Sequence, residues 1–330
     1  MRTFGKIFAG LIIVIMAIAG GGYWWFSHTY PKVGPASDLK VSATPEMIGR
    51  GRYLAEHVSS CIDCHSVRDW RYYAAPIKEE TRGQGGELFD HSIGVPGTLY
   101  AANITPAGIG NYTDGELHRM IVSGVKRTGE PVFPIMPYPH FGAMADDDIN
   151  SIIAYIRTLA PIENTVPPSE LDFPLNLIVR TMPQQANPQP RPDPSNTVAY
   201  GGYLVNAAAC GDCHTPMVKG QFVQELAFAG GSEYRLPGGC LARSANITPD
   251  QETGIGKWTK EQFLARFKKY ADDANAHVPV DSGAFNTIMP WTRYAGMTEE
   301  DLGAIFDYLR TLKPISHSVI HFDRASLAAE

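Results

Sequence analysis

Cysteine is scarce in this sequence, with five residues in 330. Four of them fall into two short clusters, and Cys240 stands alone. A domain held together by disulfides needs a denser set, so the sequence indicates no disulfide framework. We expect Cys240 to be a small buried hydrophobic residue rather than a redox group or a ligand.

Basic residues are also few: 28 Lys and Arg against 34 Asp and Glu give a formal net charge of -6. Nucleic-acid-binding domains carry an excess of basic residues, so the composition argues against a nucleic-acid partner. The acidic balance instead favours basic docking surfaces on soluble partners. The 44% of hydrophobic residues is ordinary for a globular protein, and the length allows one to three domains.

Charge is absent from the stretch 7–26, which reads IFAGLIIVIMAIAGGGYWWF and is about as long as one bilayer crossing. Arg2 and Lys6 precede it, so the positive-inside rule leaves the N-terminus in the cytoplasm. We therefore predict a membrane anchor in residues 1–30. The alternative is a signal peptide cleaved after Ala19, but the apolar run continues past that point into an aromatic cluster, which favours the anchor. Both interpretations export the rest of the chain.

Two clusters share one pattern: residues 61–65 read CIDCH and residues 210–214 read CGDCH. Cys-x-x-Cys-His is the attachment signature of c-type haem. Two thiols one helical turn apart can each form a thioether with a haem vinyl group, and the next residue offers an imidazole to the iron. A single copy is also compatible with a zinc ligand pair or a redox dithiol, whereas two copies favour haem. We predict two covalently bound haem c groups, held by Cys61, Cys64, His65, Cys210, Cys213 and His214.

The two motifs lie in a duplicated framework. Both copies contain Asn-Ile-Thr-Pro, at 103–106 and 246–249, then Gly-Ile-Gly, a capping-box helix start and an Ile-Met-Pro-aromatic loop. An amphipathic helix closes each copy, and Pro161 and Pro314 are expected to stop these two helices. The pattern predicts two homologous, mainly helical domains, at 44–162 and 196–316. The Asn side chains of the Asn-Ile-Thr-Pro turns are expected to bond local backbone.

Residues 163–195 separate the repeats and are rich in proline, which predicts a semi-stiff linker. Within it, residues 173–180 are too apolar for a free spacer, and we expect them to pack between the domains rather than to touch a partner. Residues 317–330 are predicted to be a short polar tail.

Each haem iron needs a sixth ligand, and one methionine recurs in the same setting in both repeats. Met136 and Met289 each follow Ile and precede Pro and an aromatic residue, ahead of the closing helix. A thioether is a soft ligand that favours ferrous iron. The predicted iron ligands are therefore His65 with Met136 and His214 with Met289. Met144 and Met297 also recur and are expected to be packing residues. Four histidines have no counterpart in the other repeat, and we expect them to be ordinary surface or core residues: His91, His118, His140 and His277. A haem with two histidine ligands is the lesser alternative.

These repeats resemble class I cytochrome c domains. The motif combination and the closing Ile-x-x-Tyr helix resemble, more narrowly, the cytochrome c subunits of bacterial membrane-bound dehydrogenases for alcohols, gluconate and sorbitol. The resemblance spans residues 44–316 and implies an all-α fold of two tandem class I cytochrome c domains behind an N-terminal transmembrane helix. Such subunits often have three haem domains and a C-terminal anchor, whereas this sequence has two motifs and an N-terminal span, which leaves the partner open.

The motifs and the resemblance together predict an electron carrier and not an enzyme, because two six-coordinate haems leave no open site for a substrate. The chain would lie on the periplasmic face of the bacterial inner membrane and relay electrons into the respiratory chain. The donor would be a dehydrogenase subunit or a respiratory complex, and the acceptor a soluble cytochrome, a quinone or an oxidase. The alternative is a dihaem enzyme of peroxidase or thiosulfate-oxidising type with one open haem, for which Cys240 is the one hint.

Overall fold

The structure, a computed structural model, describes residues 2–237, 239–281 and 283–324 and is mainly helical. Within these ranges, one helix is long and apolar enough to cross a membrane, over Phe4–Thr29. The helices are α1 (Arg2–Thr29), α2 (Pro45–Tyr53), α3 (Cys61–Cys64), α4 (Pro106–Ile109), α5 (Asp114–Ser123), α6 (Tyr138–Phe141), α7 (Asp146–Ile156), α8 (Leu175–Ile178), α9 (Thr197–Ala207), α10 (Cys210–His214), α11 (Lys260–Lys268), α12 (Asp273–Ala276), α13 (Trp291–Tyr294) and α14 (Glu299–Leu309).

Short antiparallel strands in the loops make up three small sheets, with the orders β1-β2-β3, β4-β5 and β6-β7-β8. The expected all-α fold does not include them, because strands of two to four residues are too short to leave a period-two pattern in the sequence. The strands are β1 (Leu88–Phe89), β2 (Gly97–Tyr100), β3 (Glu170–Leu171), β4 (Met217–Val218), β5 (Gln221–Phe222), β6 (Glu233–Arg235), β7 (Leu241–Arg243) and β8 (Phe322–Asp323).

The segment that follows each closing helix returns to pair with a loop strand of its own repeat. Gly97 of β2 faces Leu171 of β3, and Ala242 of β7 faces Phe322 of β8. Part of the predicted linker and part of the predicted tail are therefore sheet edges. The remainder of that tail, 325–330, lies outside the described residues.

The helix starts follow the capping residues in the sequence. The Thr44 hydroxyl accepts a hydrogen bond from the Met47 amide, and proline occupies the first position of α2. Thr113 and Glu116 form a reciprocal capping box at α5, as do Thr259 and Gln262 at α11. These predicted caps are confirmed.

In each repeat the first helix crosses the closing helix at a glycine. A methyl group on Gly51 would lie 1.7 Å from the backbone oxygen of Ser151 in α7, and one on Gly201 would lie 1.9 Å from that of Ala304 in α14. The absence of a side chain lets the helix backbones touch. The apolar stripes of α7 and α14 are buried in one core cluster, which contains residues of both repeats.

The two repeats meet through equivalent residues. The Asn206 side-chain amide donates to the His140 carbonyl oxygen at 2.9 Å, and Nδ1 of His57 lies 2.9 Å from the Arg293 carbonyl oxygen. Asn206 occupies the position of His57 in the second repeat, and Arg293 that of His140. Such reciprocity is the signature of an approximate two-fold relationship. The interface therefore fixes the two repeats in one defined arrangement.

The apolar part of the linker does pack, but beside the C-terminal end of α1 rather than between the repeats. Val179 is buried, and the Arg180 guanidinium donates to the carbonyl oxygens of Ser27 and Tyr30, each at 3.1 Å. The expectation of packing between the domains is therefore corrected, because the end of a helix offers free carbonyl groups that an arginine can satisfy.

Candidate functional site

The two motif histidines have the same hydrogen bond. Nδ1 of His65 lies 2.7 Å from the Ala102 carbonyl oxygen, and Nδ1 of His214 lies 2.7 Å from the Ala245 carbonyl oxygen. This bond fixes the tautomer and leaves Nε2 as the nitrogen that can ligate a metal. Burial lowers the pKa of both imidazoles, so each is neutral near pH 7, as a ligand must be.

The backbone around each histidine is also duplicated. The residues before the motifs, Ser60 and Ala209, take left-handed conformations with φ of 48° and 50° and begin the short helices α3 and α10. The carbonyl oxygen of His65 accepts from the Gly85 amide at 2.9 Å, and that of His214 from the Gly230 amide at 2.7 Å. Two loops of different sequence thus give the two motifs the same backbone conformation and hydrogen bonds.

The four motif thiols are free, as thioether formation requires. Cys64 and Cys213 have exposed side chains, yet the surrounding protein desolvates both thiols and raises their pKa.

A zinc site fits these residues poorly. Structural zinc takes four Cys or His ligands. In the part of the chain that the structure describes, no three His, Cys, Asp or Glu side chains form such a group. The two free thiols and the oriented imidazole fit a covalently attached haem instead.

Met136 and Met289 occupy matching turns. The amide of Tyr138 donates to the Met136 carbonyl oxygen at 2.7 Å, and the amide of Trp291 donates to that of Met289 at 2.7 Å. Both side chains are half-buried and pack against the core cluster that Cys61 and Cys210 also contact. Their assignment as sixth ligands remains a prediction. Met144 and Met297 are each only 1% exposed and lie in the core cluster, which agrees with the prediction that they are packing residues.

The histidines without counterparts each have a carboxylate partner. His118 lies 3.1 Å from Asp146, and His140 lies 2.7 Å from Asp212. His91 and His277 pair with Asp172 and Asp273 at 2.6 and 2.8 Å. These contacts agree with the prediction of ordinary surface and core histidines.

The Asn-Ile-Thr-Pro turns clamp the segment after each closing helix. The Asn103 amide donates to the Ile162 carbonyl oxygen at 2.8 Å, and the Asn246 amide donates to that of Ile315 at 2.8 Å. The side-chain oxygen of each Asn also accepts a hydrogen bond from the backbone amide of the threonine two residues later in the chain. The predicted bonding to local backbone is confirmed.

Cys240 is buried with Leu236 and Ala242. It is the small core residue that we expected, so the sequence feature that hinted at an open-haem enzyme has a structural role.

A buried charge cluster beside the first motif escaped sequence reasoning. The Glu56 carboxylate accepts from Tyr155 and Arg82, and Nη1 of Arg293, from the second repeat, lies 3.4 Å away. Burial opposes the charge, but these partners outweigh it, so the pKa of Glu56 is lowered. The signal was an acidic residue among the apolar Leu54, Ala55 and Val58, where the second repeat has Val205.

Comparison with known proteins agrees with this geometry. The model of the cytochrome c family matches residues 198–313. The chain is 30% identical over 304 residues to the alcohol dehydrogenase (quinone) cytochrome c subunit of Gluconacetobacter polyoxogenes, a match that covers 86% of this chain. The chain contains a cytochrome c domain and is homologous to cytochrome c subunits of dehydrogenases. The predicted resemblance is thus confirmed.

Two further relatives extend the comparison. The gluconate 2-dehydrogenase cytochrome c subunit of Pantoea cypripedii is 28% identical, with 82% of this chain and 60% of the relative covered. A diheme cytochrome c-type protein of Cereibacter sphaeroides is 26% identical, with 63% of this chain and 68% of the relative covered. The chain spans 60% of the length of the alcohol dehydrogenase subunit.

Proposed function

We propose that this chain is a membrane-anchored dihaem cytochrome c that passes electrons from a partner dehydrogenase to the respiratory chain on the periplasmic face. The observation that carries the proposal is the duplicated histidine: the bonds of His65 to Ala102 and of His214 to Ala245 match at 2.7 Å. Both repeats therefore support the same cofactor chemistry, which favours two haems over one.

In this proposal Cys61 and Cys64 hold one haem through thioethers, and Cys210 and Cys213 hold the other. Nε2 of His65 and of His214, together with the thioethers of Met136 and Met289, would hold the two irons. Bound haem c supplies an iron centre that gains and loses one electron. Because this chain would supply both ligands of each iron, the sites would transfer electrons and would bind no substrate.

The repeat interface supports transfer between the two sites. His140, four residues after Met136, contacts Asp212 inside the second motif at 2.7 Å. His57 lies four residues before Cys61, and its Nδ1 is 2.9 Å from the carbonyl oxygen of Arg293, which lies four residues after Met289. Each methionine loop is thus held against the other repeat's attachment region. These contacts hold the two attachment regions in a fixed relation, which supports direct passage of an electron between the two sites.

The relatives support the proposed partner, and α1 supports the proposed membrane attachment. The relatives of Gluconacetobacter polyoxogenes and Pantoea cypripedii are cytochrome c subunits of an alcohol and a gluconate dehydrogenase, which supports a dehydrogenase as electron donor. The helix Phe4–Thr29 is long and apolar enough to cross a membrane, and its most apolar stretch is unburied, which supports a single N-terminal anchor. A soluble cytochrome, a quinone or an oxidase would accept the electrons.

Purification of the full chain from native membranes tests this proposal. The mass of the intact protein should exceed the apoprotein mass by two haems, and a dehydrogenase flavoprotein or quinoprotein should co-purify. Cys64→Ser and Cys213→Ser should each weaken one attachment, whereas the control Cys240→Ala should keep both. A mass increase of one haem would overturn the dihaem assignment, and co-purification of a quinol-oxidising complex alone would overturn the dehydrogenase partner.

A further inference from the structure

The 173–181 segment, which comprises α8 and the residues on either side of it, leaves apolar side chains uncovered. Phe173 is 79% exposed and Ile178 is 46% exposed, whereas the neighbouring Val179 is buried. Phe173, Leu177 and Ile178 form an apolar groove together with Tyr23 and Phe26 of α1. The groove therefore joins the linker to the predicted membrane span.

The segment is tied to the helix end and does not merely lie near it. The Arg180 guanidinium donates to the carbonyl oxygens of Ser27 and Tyr30 at 3.1 Å each. These bonds satisfy carbonyl groups that the end of α1 leaves open. The depth of the segment relative to α1 is thus fixed.

The rise of the helix gives the depth of the 173–181 segment relative to the bilayer. The uncharged stretch 7–26 rises about 30 Å, which is the thickness of the hydrocarbon core. Phe26 then lies at the outer boundary of that core, and Gly22, which also lines the groove, lies about 6 Å below it. The apolar side chains of the segment occupy the depth at which interfacial helices bury their apolar faces.

Composition favours lipid over a protein partner as the occupant of this groove. The segment reads FPLNLIVRT, with no acidic residue and one arginine. It continues the uncovered aromatic band of α1, where Tyr23, Trp24 and Trp25 are each about 60% exposed. Aromatic residues and cations together are typical of the headgroup boundary.

We propose that the 173–181 segment is a second membrane contact, inserted at the periplasmic headgroup boundary beside α1. The inference rests on the proposed membrane anchor and adds a second point of attachment to it. One helix alone allows the haem-binding repeats to tilt on the end of α1, whereas a second contact fixes which face of the repeats points away from the bilayer. The segment would thereby orient the repeats toward a partner on the same membrane.

Photo-crosslinking of the full haem-loaded chain in proteoliposomes tests this inference. The photoreactive residue p-benzoylphenylalanine replaces Phe173, or Trp24 as the anchor control, or Phe285 as an exposed aromatic control in the second repeat. Haem spectra first confirm that each variant is loaded. The expected result is a mass increase of one phospholipid after illumination for the variants at 173 and 24, and none at 285.

The possible outcomes separate the two claims. A lipid adduct at 24 without one at 173 overturns the inference while the anchor stands. Absence of lipid adducts at both positions overturns the anchor and the inference with it. A protein adduct at 173 identifies the groove as a protein-docking site and overturns the inference. Lipid adducts at all three positions show unspecific labelling and also overturn it.

Discussion

The Tyr53 hydroxyl donates to the Asp301 carboxylate across the repeat interface at 2.6 Å. The equivalent pair runs in the opposite direction, from the second repeat to the first: the Tyr203 hydroxyl donates to the Asp148 carboxylate, also at 2.6 Å. Each tyrosine lies in the first helix of one repeat, and each aspartate lies in the first turn of the other repeat's closing helix. The carboxylates thus join the repeats and also favour their own helices through the helix dipole.

These tyrosine bonds make the repeat interface sensitive to single hydroxyl groups. Tyr53→Phe or Tyr203→Phe leaves a buried carboxylate without one donor, and each should lower the free energy of unfolding by about 1–3 kcal/mol. Denaturant unfolding of the haem-loaded chain measures this loss. Tyr100→Phe is the control, because Tyr100 lies in β2 and, among the described residues, its hydroxyl has no hydrogen bond to the second repeat. Equal stability of all the variants would contradict the role of the pairs.

The glycine crossings predict opposite effects of alanine at two positions of one helix. Gly51→Ala should destabilise by at least about 1–3 kcal/mol, because its methyl group would overlap the Ser151 carbonyl oxygen. Gly49→Ala should stabilise by about 0.5–1 kcal/mol, because that site is open and alanine favours the helix. Unfolding curves compare the two variants with the wild type. A Gly51→Ala protein as stable as Gly49→Ala would refute the close crossing.

The charge cluster at Glu56 predicts a dependence of stability on acid pH. The lowered pKa of Glu56 in the folded state means that its contribution is present above its unfolded pKa, near 4.5, and is lost as pH falls through the lower folded value. Glu56→Gln should cost stability at pH 7 and should lessen the loss on acidification below about pH 4.5. Unfolding measured from pH 3 to pH 7, for wild type and variant, gives the difference. Parallel curves would show that Glu56 does not titrate in this way.

The methionine assignment predicts a change in redox properties at one haem at a time. Met136→Ala or Met289→Ala should lower the reduction potential of the affected haem, within the roughly 0.8 V range that axial ligands span. The vacated position should then bind carbon monoxide. Potentiometric titration and carbon monoxide difference spectra test both effects. Met144→Leu is the control, since it keeps the volume of a buried packing residue and should change neither signal.

Much of the fold followed from local signals in the sequence. The capping residues Thr44, Thr113 and Thr259 placed their helices because each satisfies backbone amides within one turn. The two Cys-x-x-Cys-His motifs could be recognised because covalent haem attachment requires a fixed spacing of the cysteines and the histidine. Both signals depend on a few neighbouring residues, which is why they need no knowledge of tertiary contacts.

Contacts between distant parts of the chain were beyond the sequence. Nothing local distinguishes Asp148 or Asp301 from the other acidic residues at their helix starts, yet these two reach tyrosines of the other repeat. The same holds for Arg180, whose partners lie about 150 residues earlier at the end of α1. Such pairings arise from the packing of whole elements, so the interface and the site beside α1 appeared only in three dimensions.

A redox titration of the purified full chain, with carbon monoxide added to the reduced protein at the end, tests the central claim most directly. The account predicts that each chain takes up two electrons in one-electron steps and that neither low-spin ferrous haem binds carbon monoxide under native conditions. Uptake of a single electron, or ready binding of carbon monoxide at one haem, would contradict a carrier with two haems whose iron ligands all come from this chain.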